Sequence, residues 1–222
     1  MSGGEAATGR YGGVEATVRI AGRRAALIEA GLELLGTHGW PATTVRAVCA
    51  QANLTPRYFY ESFKDLDELL LAVFDEIAGD AAADVLTAVT EAPQDVRAKA
   101  RAAIAAFVDF LTRDPRRARV LFIEAMGAEA LARRRFATVR MFAGLVAQQA
   151  RSFYRLSDEP DPLVELTALM LAGGLAESLL AWLDGTLDLS REELIEHCTD
   201  LFVATGEAAV DLARRRPPAG AL

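Results

Sequence analysis

Cysteine is almost missing from this chain: Cys49 and Cys198 are the only two in 222 residues. Both fall on apolar helical faces without metal-type spacing, which excludes a disulfide framework and a zinc site and suits a reducing, cytoplasmic setting. Histidine is equally scarce. His38 closes one helical pattern and His197 lies in a polar part of another, and neither sits in a Ser, Cys or carboxylate arrangement that makes a nucleophile or a metal ligand set. No catalytic residue, metal or cofactor is therefore expected, and an apolar-substrate enzyme would need a converging titratable pair that is not present. The glycine pairs Gly3-Gly4, Gly12-Gly13 and Gly173-Gly174 lack the preceding strand and the spacing of a phosphate-binding loop. Alternating strand patterns are hard to find, whereas Ala and Leu abound and the eight prolines fall mostly at helix starts or in the tail, so the expected fold is all-α. The opening MSGGEAATGRYGGVEATVR is Gly-rich and has no apolar signal core, so a disordered arm over 1–17 is expected and secretion is not.

An excess of positive charge is also missing, because the formal net charge is -7. Its distribution is uneven: residues 1–64 hold seven Arg/Lys and five Asp/Glu, a net +2, which leaves -9 for the rest. A mildly basic head on an acidic body presents one end to a polyanion, although +2 is a weak footprint for a single copy. The arm's Arg10, Arg19, Arg23 and Arg24 are candidates for phosphate or minor-groove contact, with a solvated tail as the alternative.

What the chain does contain is the stretch TTVRAVCAQANLTPRYFYESFK, Thr43 to Lys64, which reads as two short helices joined by a tight turn. Thr43 or Thr44 caps the first, and Val45, Val48, Cys49 and Ala52 recur at 3, 4 and 7 residues as one apolar stripe. Asn53 tolerates the left-handed conformation that stops a helix, and Leu54 follows as an apolar plug. Thr55 is the next N-cap and Pro56 the first helical residue, so a second helix runs to about Ser62, anchored by Phe59 and Phe63. Its outward face is then Thr55, Pro56, Arg57, Tyr58, Tyr60 and Glu61, hydroxyls and aromatics with one cation. Thr55, Arg57 and Tyr58 are the candidates for reading base edges; Thr44, Arg46, Tyr60 and Lys64 for phosphates, with half-buried packing of the tyrosines and a solvated Arg46 as the plainer alternatives. Asp65, with Glu68 three residues on, opens a third helix whose stripe is Leu66, Leu69, Leu70, Val73, Phe74 and Ile77.

The segment from about Arg23 to Phe74 resembles the DNA-binding domain of the TetR family of bacterial transcriptional regulators. The resemblance rests on Ala30 to Gly39 with its final His38-Gly39, Thr43-Thr44-Val45, Ala52-Asn53-Leu54-Thr55, Tyr58-Phe59-Tyr60 with Phe63-Lys64, and Leu69-Leu70. Cys49 stands where the family commonly has Ala and Asn53 where Gly is usual, both physically mild changes. The resemblance implies an N-terminal three-helix bundle with a helix-turn-helix, followed by a helical effector-binding and dimerisation domain. It implies a homodimer, most often a repressor, that binds a double-stranded DNA operator and releases it when a small molecule occupies the body. The expected division is a DNA-binding domain over 18–64, a body over 65–214 and a disordered tail over 215–222. An all-helical small-molecule-binding or protein-interaction dimer that does not act on DNA is the alternative.

Further helical patterns cover about 18–37, 94–112, 115–126, 128–156, 163–183 and 191–214. The run from Leu163 to Leu183 is apolar nearly all round and must be covered on two sides. A membrane span has the right length, but Glu165 and Glu177 count against it and no membrane partner is expected. The other explanation is a second subunit, with Leu166, Leu169, Gly173, Ala176 and Leu180 facing it and Leu201, Phe202 and Thr205 of the last helix joining a four-helix interface. For a largely apolar effector the candidate wall residues are Phe107, Phe110, Phe122, Met126, Met141 and Trp182, of which Phe107, Phe110, Met141 and Trp182 lie on helices that the family places around its cavity. Glu124 and Glu177 are carboxylates in apolar runs; pairing with an arginine such as Arg119 or Arg140 is the structural explanation, and binding a polar ligand group the sharper one.

Overall fold

The structure is a computed structural model that describes residues 9–126, 129–156 and 161–215. Among the described residues it is all-helical: α1 (Gly9–His38), α2 (Val45–Gln51), α3 (Pro56–Ser62), α4 (Leu66–Glu91), α5 (Val96–Arg113), α6 (Pro115–Phe122), α7 (Glu129–Tyr154), α8 (Pro162–Leu183) and α9 (Arg191–Arg215). Single 3-10 turns at Trp40–Ala42 and Glu124–Met126 complete it. The helix starts are encoded locally. Asp95 accepts from Ala98 N at 2.8 Å and opens α5, Asp161 accepts from Leu163 N at 2.7 Å and opens α8. At α9, Ser190 N donates to Glu193 while Glu193 N donates to Ser190 Oγ, a reciprocal pair that also holds the Glu193 carboxyl below its ordinary range.

Two of the expected boundaries move. The first helix begins at Gly9 rather than near Val18, so part of the expected arm is helical, while residues 1–8 and the tail from 216 lie outside the described residues. The pattern over 115–126 is α6 followed by a separate 3-10 turn, with Ile123 between them.

The chain divides into two compact units. The first takes the residues up to Glu76 together with Arg116–Leu131, and the second takes Ile77–Pro115 and the residues from Ala132 onward. The first unit thus extends beyond Lys64 and gains a segment from the middle of the chain. In it, α1 packs on both α2 and α3, and Leu27, Leu35, Val48, Phe59, Leu69 and Val73 are fully buried. Gly31 permits close passage of α4, since a Cβ there would stand 3.0 Å from Val73 Cγ2. The added segment is fastened to α1. Arg116 bonds Glu29 at 3.1 Å and Glu33 at 2.7 Å, and a Cβ on Gly36 would lie 2.5 Å from Arg116 Cβ.

In the second unit α9 packs against α5 and α8. Buried Ile104, Val108, Leu179, Leu194 and Ile195 supply its apolar interior, and Ala143, Ala147, Val164 and Ala168 let α7 and α8 meet closely. An ionic ladder runs along α5 and α9: Arg97 with Glu196 and Asp200, Arg101 with Glu192 and Glu196, and Arg191 with Asp109.

Candidate nucleic-acid interface

The capping question at the first short helix is answered by hydrogen bonds. Thr44 is the N-cap, its Oγ1 accepting from Ala47 N at 3.1 Å, whereas Thr43 is buried and its hydroxyl donates to Gly39 O at 2.9 Å. Asn53 ends the helix with φ 53°, the left-handed stop expected of it. Leu54 is half-buried, its N–H bonded to Cys49 O at 2.9 Å. Thr55 and Pro56 start α3 as expected, but the Thr55 hydroxyl makes no capping bond. Only its carbonyl serves the helix, accepting from Tyr58 N at 3.0 Å.

Phe59 and Phe63 are buried with ring centroids 5.8 Å apart, and they fix which way α3 faces. Thr44, Arg46, Thr55, Pro56, Arg57, Tyr60 and Lys64 are all exposed, and Tyr58 is half-buried. Arg57 is 84% exposed and its Nε bonds Glu61 Oε1 at 3.1 Å, one helical turn along. Tyr60 meets Phe59 edge-on at 5.3 Å. Lys64 stands 3.7 Å from Asp65 at the mouth of α4, where Glu68 N donates to Asp65 and Lys64 N donates to Glu68 at 2.6 Å. These side chains gather at the turn and α3, the placement a groove-reading helix requires.

The arm's arginines are arranged otherwise. Arg23 lies over the Tyr58 ring at 4.4 Å and Arg24 over the Phe63 ring at 4.8 Å; the side chain of Arg10 lies outside those described. Tyr58 is half-buried beneath Arg23, the packing alternative that its sequence position left open. No spacing rule links residues 35 apart, so this pairing had no sequence signal.

A second feature of this unit went partly unread. Glu124 is 8% exposed; it accepts from Arg119 Nε at 2.9 Å and from the backbone N–H of Trp40 at 2.9 Å. Arg119 also donates to Thr37 O at 3.1 Å. Pairing with Arg119 is the structural explanation expected for this carboxylate, and Trp40 is the partner sequence did not supply. Gly39, with φ 78°, lets the carboxylate and guanidinium approach within about 3 Å of where a Cβ would sit.

The expected effector residues are divided between the two units. Phe122 is buried and belongs to the first unit, and Met126 has its side chain outside those described. In the second unit Phe110 is buried, Phe107 is half-buried with its ring 6.0 Å from that of Phe142, and Met141 is exposed. Glu177 is exposed, not buried, and pairs with Arg135 rather than Arg119 or Arg140. Trp182 is half-buried and its Nε1 donates to Leu189 O at 2.8 Å.

Of the expected subunit contacts, Leu166, Leu169 and Leu201 are exposed, while Gly173, Ala176, Leu180, Phe202 and Thr205 are half-buried. A Cβ on Gly173 would reach Val139 only at 4.0 Å. Among the described residues α8 is the one helix long and apolar enough to cross a membrane by length and composition.

The sequence model described as "Bacterial regulatory proteins, tetR family" matches residues 27–73, the span from α1 into α4. No curated protein matches the chain. Among solved structures, the fatty acid degradation regulator FadR from Bacillus halodurans is 19% identical with a TM-score of 0.67, covering 81% of this chain and 94% of its own. FadR from Bacillus subtilis, solved in complex with stearoyl-CoA, is 18% identical with a TM-score of 0.66 over 82% and 98%. A TetR family transcription regulator from Marinobacter aquaeolei VT8 is 20% identical with a TM-score of 0.58 over 85% and 97%. At these identities the structures establish the shared fold, and over residues 27–73 the helix-turn-helix segment is similar to the bacterial regulatory proteins of the tetR family.

Proposed function

We infer that the protein is a cytoplasmic homodimeric repressor that leaves its operator when a largely apolar small molecule binds the second unit. The observation that carries the dimer is the face of α8. Leu166, Leu169 and Met170 are 54%, 43% and 63% exposed on one stripe, with Leu201 and Leu212 equally open on α9. Complete burial of a side chain of this size is worth roughly 1.5–3 kcal/mol, and about half of that is still to be gained at each of these half-exposed positions. A second copy laying its own α8 and α9 on this stripe covers them and makes a four-helix interface. The same burial accounts for an apolar helix without a bilayer.

The DNA side follows from two copies. Thr55, Arg57 and Tyr58 are assigned to base edges and Thr44, Arg46, Tyr60 and Lys64 to phosphates, with the two heads on half-sites one helical turn apart. Effector control requires that a ligand bind one arrangement of the heads better than another. The chain passes between its units at 76–77, 115–116 and 131–132, so a change in the second unit has three covalent routes to the first. The stearoyl-CoA of the Bacillus subtilis structure makes long acyl thioesters the class to try first. Selection of bound duplexes from random DNA, with and without stearoyl-CoA, tests the reading. Recovery of paired half-sites, depleted by ligand, supports it; single half-sites, or binding indifferent to every apolar ligand tried, refutes the dimer or the effector arm respectively. Arg57→Ala weakens operator binding by about 1–3 kcal/mol with the fold intact.

A further inference from the structure

The first helix has two arginines that look available for DNA and are occupied elsewhere. Arg23 has its guanidinium 4.4 Å from the Tyr58 ring centroid, and its Nη2 is 3.5 Å from Glu61 Oε2. Its side chain is 25% exposed, against 84% for Arg57. The other oxygen of the same carboxylate holds Arg57 Nε at 3.1 Å. Glu61 is therefore bracketed by a cation from α1 and by the single cation of α3. An arginine that binds phosphate must offer its donor edge to solvent; this one lies over a ring and spends an edge on a carboxylate.

We propose that Arg23 is a positioning residue for DNA reading: by covering Tyr58 and sharing Glu61 with Arg57, it fixes the conformations of the two side chains that meet the bases. The proposal rests on the assignment of α3 as the reading helix. Long side chains lose conformational freedom when they dock, so a contact made before DNA arrives raises affinity for the right sequence without touching it. It also accounts for Glu61, an acid on a face turned to a polyanion. Its charge offsets Arg57 in the free protein, and Arg23 restores the balance from behind. The role needs a planar guanidinium, which stacks and bonds at the same time; an ammonium does one or the other.

The test uses the full-length protein and the duplex obtained by selection, with a scrambled duplex beside it, over a series of salt concentrations. Arg23→Gln and Arg23→Lys are both expected to lose about three- to tenfold affinity for the selected duplex. Affinity for the scrambled duplex and the slope of log affinity against log salt stay those of the parent. In a Tyr58→Ala background the Arg23→Gln loss shrinks by more than half, because the group being positioned is gone. A phosphate contact gives the opposite pattern: Arg23→Lys rescues, Arg23→Gln weakens both duplexes alike, and the salt slope falls by about one. That pattern overturns the proposal, as does an unaltered affinity in both Arg23 variants. A parent protein that selects no sequence refutes the assignment of α3 and takes the proposal with it, whereas a selective parent with indifferent variants refutes the positioning role alone.

Discussion

Replacing Glu124 with Ala removes the acceptor that ties the turn before α2 to the segment from the middle of the chain. Its carboxylate receives the Trp40 N–H at 2.9 Å and Arg119 Nε at 2.9 Å. The first bond joins a backbone donor to an ionised acceptor in a part-buried place, and such bonds contribute about 1.5–3 kcal/mol. The second counts for less. The Arg119 side chain is 38% exposed and keeps Thr37 O, so solvent screens the pair to roughly 0–1 kcal/mol. Glu124→Ala should therefore destabilise the first unit by about 2–4 kcal/mol, and Glu124→Gln, which keeps an oxygen for Trp40, by about half that. Native-state hydrogen exchange separates the local effect from global unfolding, which in a two-unit chain need not be a single transition. The Trp40 amide should lose protection about tenfold or more, and Thr43, whose N–H bonds Trp40 O at 3.0 Å, should follow. Because Thr44 caps α2 immediately afterwards, operator affinity should fall although Glu124 lies outside the reading face. Trp40 and Thr43 amides that exchange as in the parent, with stability within about 0.5 kcal/mol, would show that the carboxylate is merely tolerated there.

Gly36→Ala tests the same fastening from its other end: a Cβ 2.5 Å from Arg116 Cβ and 2.9 Å from its Cα requires backbone movement, so a loss of about 1–3 kcal/mol in denaturant melts is expected. Leu169→Glu places a charge on the exposed α8 stripe and should convert dimer to monomer in sedimentation equilibrium while leaving the helical content unchanged; a dimer of undiminished strength would move the interface off α8. The ladder between α5 and α9 predicts an acid response. Hydrogen bonding and charge from Arg101, aided by Arg97, hold the Glu196 carboxyl below its ordinary value of 4.5. Its contribution is then complete above that value and disappears as pH falls through the lowered one; Glu196→Gln should flatten stability against pH in that acid window, and an unchanged acid profile would mean the ladder is screened to nothing.

Legibility followed the range of the interactions. Caps, stops and stripes are written within a few residues, so Thr44, Asn53, Pro56 and the Asp65–Glu68 pair were readable, as was the inward turn of Phe59 and Phe63. The helical register of α8 likewise placed Leu166 and Leu169 together on an outward stripe. Contacts between distant parts of the chain carry no such signature. Sequence offered Arg119 as a partner for Glu124 because the two are five residues apart, and missed Trp40, 84 residues away. It offered Arg23 for DNA contact because a cation near the start of the first helix looks available, whereas α1 carries it onto Tyr58, 35 residues away in sequence. For the expected effector residues the limit is of the same kind: hydrophobic periodicity says that Phe110 and Phe122 are inward and cannot say toward which unit.

The charge on the reading face constrains how the protein holds DNA. Within α3 the cation Arg57 is matched by Glu61, and Arg23 bonds the same acid rather than adding a free charge. Just beyond, Lys64 sits beside Asp65. Counterion release grows with the number of phosphates neutralised, so a reading helix whose one cation shares its carboxylate with Arg23 gains little from the polyanion as such. Two consequences follow together. In the proposed dimer one head alone binds any duplex poorly, and joint attachment of two heads through α8 and α9 is the condition for useful affinity. On the proposed assignment, a low non-specific background leaves discrimination to Thr55, Tyr58 and Arg57. A protein built this way should show a shallow salt slope and a large ratio of specific to non-specific binding; a steep slope with little selectivity would mean that cations outside this face, not α3, hold the DNA.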